Sequence, residues 1–167
     1  MWFPDLRFYG KARLIYPVPP APRTAVLSTA FRQRGAIRVF ADPSGVPAFQ
    51  PQAIAATLRQ LESLAGVVSL THAVIVFRDS SEPRLTEVER DRLWRAFQVP
   101  AFEQIIAADG TLYAGECEAH DGLHIESSRL AAGDREIDRA PCACGRSTAR
   151  LVSPADGKAR TAAGGRP

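Results

Sequence analysis

The sequence predicts a small α/β domain with a mostly parallel sheet in the order β-α-β-α-β-β, and three observations carry that prediction. Ala73-Val74-Ile75-Val76-Phe77 is a continuous apolar run bounded by polar residues, as a strand covered on both faces of a parallel sheet requires. Thr86-Glu87-Val88-Glu89 has the S/T-x-x-E form of a helix-starting capping box. Asp109-Gly110 separates two short β-prone runs, which is a hairpin signal. With 167 residues, 46% of them hydrophobic, the chain is long enough for one ordinary domain with its own core.

Taken in order, residues 1–34 read as a proline-rich arm. Pro17, Pro19, Pro20 and Pro22 fix φ and remove backbone donors, so an extended stretch whose aromatic rings pack on the domain surface is expected there. Residues 35–153 read as the α/β domain. Ile37-Arg38-Val39-Phe40-Ala41 is a short strand closed by the turn residues Asp42-Pro43-Ser44-Gly45. Ile54, Leu58, Leu61 and Ala65 then fall on one face of a helix starting near Pro51. The helix announced by Thr86 carries Leu93, Ala96 and Phe97 inward and stops before Pro100, because a residue preceding proline is pushed out of the α region. Strands follow from Phe102 to Ile106 and from Thr111 to Gly115. Residues 154–167, low in apolar content, read as a flexible tail.

Charge and hydropathy exclude some function classes. The 21 basic and 18 acidic residues are spread along the chain, so nucleic-acid binding is not implied; a basic tail of Lys158, Arg160 and Arg166 is too sparse to carry it. Arg7, Lys11 and Arg13 interrupt the apolar residues at the start, and no stretch reaches the ~20 apolar residues of a membrane span. No membrane partner and a cytoplasmic location are therefore expected.

The chemistry-bearing residues gather late in the chain. Cys117 and His124 stand at C-x6-H spacing, and Cys142 and Cys144 form a C-x-C pair beside Gly145. An odd number of cysteines in this arrangement suits metal binding better than a disulfide framework. Three thiols and an imidazole in two clusters are the donor set of a closed tetrahedral zinc site, and Gly122 and Gly145 allow the tight turns that aim both clusters inward. His120 competes with His124 for the nitrogen position, since C-x2-H is also feasible. The fold class is thus completed by a zinc-bound C-terminal loop region.

A different reading of the same residues is a zinc deaminase, from His124-Ile125-Glu126 and Pro141-Cys142-Ala143-Cys144. The second element is one residue shorter than the P-C-x-x-C it needs. Glu126, Glu136 and Asp138 read as solvated loop carboxylates rather than an acid/base pair.

Three longer stretches carry a family resemblance. They are Trp94-Arg95-Ala96-Phe97-Gln98-Val99-Pro100-Ala101-Phe102-Glu103-Gln104, then Ala114-Gly115-Glu116-Cys117-Glu118-Ala119-His120-Asp121-Gly122-Leu123-His124-Ile125, then Cys142-Ala143-Cys144-Gly145-Arg146-Ser147. Together with Gly133-Asp134, they resemble the phenylacetate-CoA ligase group of adenylate-forming enzymes over about residues 70–152, roughly half of the chain. The resemblance implies an α/β sheet subdomain and, as in some members, zinc at Cys117, His124, Cys142 and Cys144. It also implies a ribose-binding role for Asp134, although a turn-forming loop aspartate is the plainer reading.

The departures bear on activity. No Ser/Thr/Gly-rich phosphate loop stands before residue 70, and the group's aromatic-Gly-x-x-Glu segment is replaced by Glu103-Gln104-Ile105-Ile106-Ala107-Ala108-Asp109. Gly157-Lys158 is a faint echo of the hinge that leads to a lysine-bearing domain. The expected function is a non-catalytic zinc module that binds a partner protein or ligand. The alternative is a subunit supplying half of an adenylate-forming site that another chain completes.

Overall fold

A computed structural model describes residues 10–130 and 135–152. Their strands form one nine-stranded mixed sheet in the order β2-β1-β3-β4-β5-β6-β7-β9-β8. The parallel part consists of β1 (Thr24–Val26), β2 (Ile37–Val39), β3 (Ala53–Thr57), β4 (Ala73–Arg78) and β5 (Ala101–Ile106). From β5 the sheet continues antiparallel through β6 (Leu112–Gly115), β7 (Leu123–Ile125), β9 (Arg150–Val152) and β8 (Glu136–Asp138).

Side-chain alternation along the parallel strands builds two cores. One face, with Ala25, Ile54, Ala56, Val74 and Val76, packs on α1 (Val46–Phe49), α2 (Leu58–Leu64) and α3 (Glu87–Phe97) through Val46, Leu61, Leu64, Leu93 and Phe97. The other face, with Val26, Ala55, Ile75 and Phe77, is covered by Leu14, Phe31 and the ring of Tyr16. This explains why all six residues of β4 are buried: helices cover one side and the N-terminal segment the other.

The apolar run, the capping box and the hairpin stand where the sequence puts them. Thr86 accepts from the Glu89 N–H while Glu89 reaches back to the Thr86 N–H at 2.7 Å, and Gln98 in the left-handed region ends α3 before Pro100. β5 and β6 pair across Asp109 and Gly110.

The stretch expected as a helix from Pro51 divides differently. Residues 53–57 are β3, which lies between β1 and β4 with 53–56 buried, and the helix begins only at the Thr57 cap, where Thr57 and Gln60 form a second capping box. Ile54 therefore belongs to the sheet, and its spacing to Leu58 is coincidental. The expected arm of residues 1–34 also contains β1, which follows the last of its prolines, Pro22, and lies inside the sheet between β2 and β3. The expected tail at 154–167 and Asp134 lie outside the described residues. Among the described residues, no helix is long and apolar enough to cross a membrane.

Candidate metal centre

The antiparallel half of the sheet positions the cysteines and histidine. β6 and β7 pair as Ala114↔Ile125 and Gly115↔His124, so the intervening loop, which holds Cys117, His120 and Gly122, folds over the sheet end. β9 adds to β7 with His124 opposite Arg150, which brings residues 142–148 against the imidazole. The Cys-x-Cys segment is a compact knuckle: the Gly145 N–H donates to the Cys142 carbonyl (2.9 Å) and the Cys142 N–H to the Arg146 carbonyl (3.1 Å). Gly145 takes φ +87°, a left-handed conformation that suits glycine.

Gly122 is needed for two reasons. Its φ is +84°, and a Cβ there would sit 2.7 Å from the Leu151 carbonyl oxygen of β9. Gly122→Ala should therefore cost about 1–2 kcal/mol from the left-handed backbone alone, and more from the clash that pushes β9 off β7. A denaturant midpoint unchanged in that variant would contradict the close approach.

The donor atoms of Cys117, His124, Cys142 and Cys144 all lie within 4.8 Å of one another. The sulfurs of Cys117 and Cys142 are 3.7 Å apart, and the Cys144 sulfur is 3.4 Å from His124 Nε2. A tetrahedral ion with Zn–S of about 2.3 Å and Zn–N of about 2.0–2.1 Å has S···S edges of about 3.8 Å and S···N edges of about 3.5 Å. The two close edges of the cluster match those lengths, whereas a disulfide needs about 2.05 Å. All three thiols are free. The residues can therefore hold a metal ion.

Local electrostatics prepare the site. Burial, then the charges of Arg146 and Arg150, lower the His124 pKa and favour the neutral ring. His124 Nδ1 lies 2.7 Å from the Thr148 hydroxyl; a neutral ring donating there keeps Nε2, which faces Cys144, as a lone-pair donor. Burial pushes the Cys117 thiol up to about 12, with the neighbouring thiols adding to the rise. Burial also opposes ionisation of Cys144, but the Arg146 N–H, the other two thiols and the Arg146 charge outweigh it and hold that pKa below the usual thiol value.

At neutral pH a bare Cys117 keeps its proton, and a bound dication must displace it. Metal affinity should then fall as pH falls, by roughly tenfold per pH unit for each thiol proton displaced. Chelator competition between mildly acidic and mildly alkaline pH tests this, and a pH-independent affinity would exclude thiolate ligation.

His120 lies outside the cluster. Its ring stacks on Phe102 (centroids 4.7 Å apart) and its Nδ1 is 3.8 Å from Glu116 Oε2. The other carboxylates singled out in the sequence are held elsewhere: Glu126 pairs with Arg146 at 3.0 Å and Asp138 with Arg150 at 2.6 Å, while Glu136 is exposed. A deaminase needs an open position for water and a glutamate facing it. Here Cys117 supplies a fourth donor and Glu126 is on Arg146.

Two groups of residues escaped sequence reasoning. Arg150 is fully buried, donating to the Asp121 carbonyl and carboxylate and to Asp138, and so ties the loop before β7 to β8. Glu103 and Glu116 are buried side by side. Glu116 takes both arms of Arg90 (2.7 and 3.2 Å) and the Glu103 N–H (2.7 Å), and Glu103 takes Arg84 and the Leu85 N–H ahead of α3. Glu116, with Arg84 and Arg90, lines a cleft of about 610 Å³ beside α3 that His120, Trp94 and Gly122 also line. A lone Thr148 or Arg150 carries no motif, so only the pairing of β7 with β9 reveals either.

No family model matches the sequence, and no curated protein matches it. Among solved structures, an open conformation of 2-hydroxyisobutyryl-CoA ligase, in complex with 2-HIB-AMP and CoA, superposes with a TM-score of 0.59 at 14% identity. The fold is that of part of an acyl-CoA ligase. The match takes in 80% of this chain and 44% of the ligase chain, so the ligase-like fold seen here spans less than half of that enzyme.

Proposed function

We propose that the chain is a zinc-binding module, related to the phenylacetate-CoA ligase group, that binds a partner protein or ligand and does not activate acids by itself. The observation that carries this reading is the closed set of four protein donors, three of them buried, in a ligase-like fold. Three thiols and an imidazole within 4.8 Å of one another favour zinc over hard cations, and four protein ligands leave no position for a substrate or an activated water. Bound there, zinc would supply folding energy rather than chemistry. The thiols stay available to it in a reducing compartment, which suits the cytoplasm.

The buried acids support the non-catalytic part of the reading. Glu103, in the stretch that replaces the aromatic-Gly-x-x-Glu segment, is 1% exposed and bonded to Arg84 and the Leu85 N–H, so its carboxylate serves the fold and is not presented at the surface to a ligand-bound metal. Phosphoryl chemistry depends on positioned donors at the phosphates and on a metal ion held by accessible carboxylates. Exchange of radiolabelled pyrophosphate into ATP, assayed with a panel of aliphatic and aryl carboxylic acids, is expected to stay at background. Turnover by the purified chain would refute the proposal.

The second reading, a half-site completed by another chain, draws on the alignment to 44% of a ligase. It requires a stoichiometric partner that carries a Ser/Thr/Gly-rich phosphate loop. Copurification of such a chain, with acid-dependent exchange by the pair, would favour it over the first.

A further inference from the structure

We propose that the β2 edge of the sheet is a docking site for an acidic segment of a partner protein. This names a partner class for the binding role above, at the sheet edge opposite the metal cluster. Residues 10–41 contain Lys11, Arg13, Arg23, Arg32, Arg34 and Arg38 and not one acid. All six are exposed. Every ion pair among the described residues takes its cation from Arg78 onward, so these six charges have no described counter-charge.

The fold gathers them. The guanidinium carbons of Arg23 and Arg38 lie 4.5 and 5.4 Å from the centroid of the same ring, Phe49. Two cations on one ring are at most about 10 Å apart, close to the Debye length in physiological salt, so they repel each other unless an anion lies between them. Guanidiniums carry N–H groups in the fork geometry that matches a carboxylate. Beside them is a concavity of about 340 Å³ lined by Arg23, Gln33, Ala36, Ile37, Arg38 and Phe49. The Arg34↔Ile37 bridge turns the chain at its rim, and the Arg32 N–H bonds the Ala12 carbonyl at 2.9 Å, so the segment bearing Lys11 and Arg13 leads from Arg32 toward Gly110 in the β5–β6 turn. The basic surface therefore continues past the concavity, as a run of acidic side chains requires.

Other occupants fit less well. A second copy would oppose arginine with arginine. A single-stranded nucleic acid needs free aromatic faces for its bases, and Phe49 already carries two guanidiniums and packs against Phe40. Basic residues do guard sheet edges against self-pairing, but that does not require two arginines on one ring beside a concavity.

The test is fluorescence anisotropy of a fluorescein-labelled decameric Glu/Asp peptide against the full chain. Saturable binding that weakens with salt is expected. Arg23→Ala with Arg38→Ala should weaken it by about tenfold or more, whereas Arg59→Ala with Arg139→Ala, which removes the same charge elsewhere, should change it less than about twofold. Arg23→Lys with Arg38→Lys keeps the charge, loses the planar fork and should also weaken binding. No saturable binding, equal losses in both alanine pairs, or tighter binding of an oligothymidylate of equal charge would overturn the proposal. None of these outcomes depends on pyrophosphate exchange, so the two proposals fail separately.

Discussion

Replacing Cys142 and Cys144 together by serine is expected to abolish metal binding and unfold the C-terminal third of the chain. The strands there are three residues each, and their own core consists of little more than Ile105, Ala114, Leu123 and Leu151. Such short antiparallel strands are marginal without a further tie. An ion joining the β6–β7 loop to the Cys-x-Cys knuckle supplies one, and structural zinc sites contribute about 10–16 kcal/mol in isolated peptides, binding and folding being one event. The double variant should lose its metal, much of its thermal stability and the exchange protection of amides in β7 and β9. The parallel core of β3, β4 and β5, packed on α2 and α3, should retain protection longer. Full thermal stability in the metal-free variant would show that the cluster is not a folding element.

The second large effect is expected at Arg150, whose side chain is fully buried between Asp121 and Asp138 (N···O 2.5 and 2.6 Å). Arg150→Met removes the cation that both carboxylates bond in a partly desolvated site, a loss of about 3–5 kcal/mol. The same substitution with Asp121→Asn and Asp138→Asn should recover part of that loss, because neutral amides tolerate an apolar neighbour better than paired carboxylates do. Denaturant unfolding measures both. If Arg150→Met alone costs less than about 1 kcal/mol, the buried ion triad is not what fastens β8 and β9 to the β7 loop.

How much of this was legible in the sequence follows from how each element is stabilised. β4 announces itself because it is covered on both faces and so is apolar throughout, and α3 because its cap is local chemistry. β3 is hidden because three of the five residues in Ala53-Ile54-Ala55-Ala56-Thr57 are alanine, which suits a helix better than a strand, and Ile54 falls at helical spacing from Leu58. The Thr57–Gln60 capping box was a real start signal, three residues beyond Ile54. β7, β8 and β9 are too short for any period to show; their existence depends on pairings between residues 12 to 28 positions apart.

At the metal centre, residue type alone picked out the donors that converge, because thiols and an imidazole in two clusters have few other uses. His120 stood in the sequence as a competitor ranked behind His124, and strand register shows which ring meets the cysteines: His124 is opposite Gly115 in β6 and Arg150 in β9, while His120 stacks on Phe102. Thr148 was invisible, since the hydroxyl that holds the imidazole becomes its neighbour only when β9 folds back.

Elemental analysis of untagged, freshly purified protein bears most directly on the central claim. Zinc at one equivalent per chain, retained through gel filtration and lost in the Cys142→Ser, Cys144→Ser double variant, is the predicted result. Metal-free protein that is fully folded, with all three thiols titratable by a thiol reagent without denaturant, would contradict it.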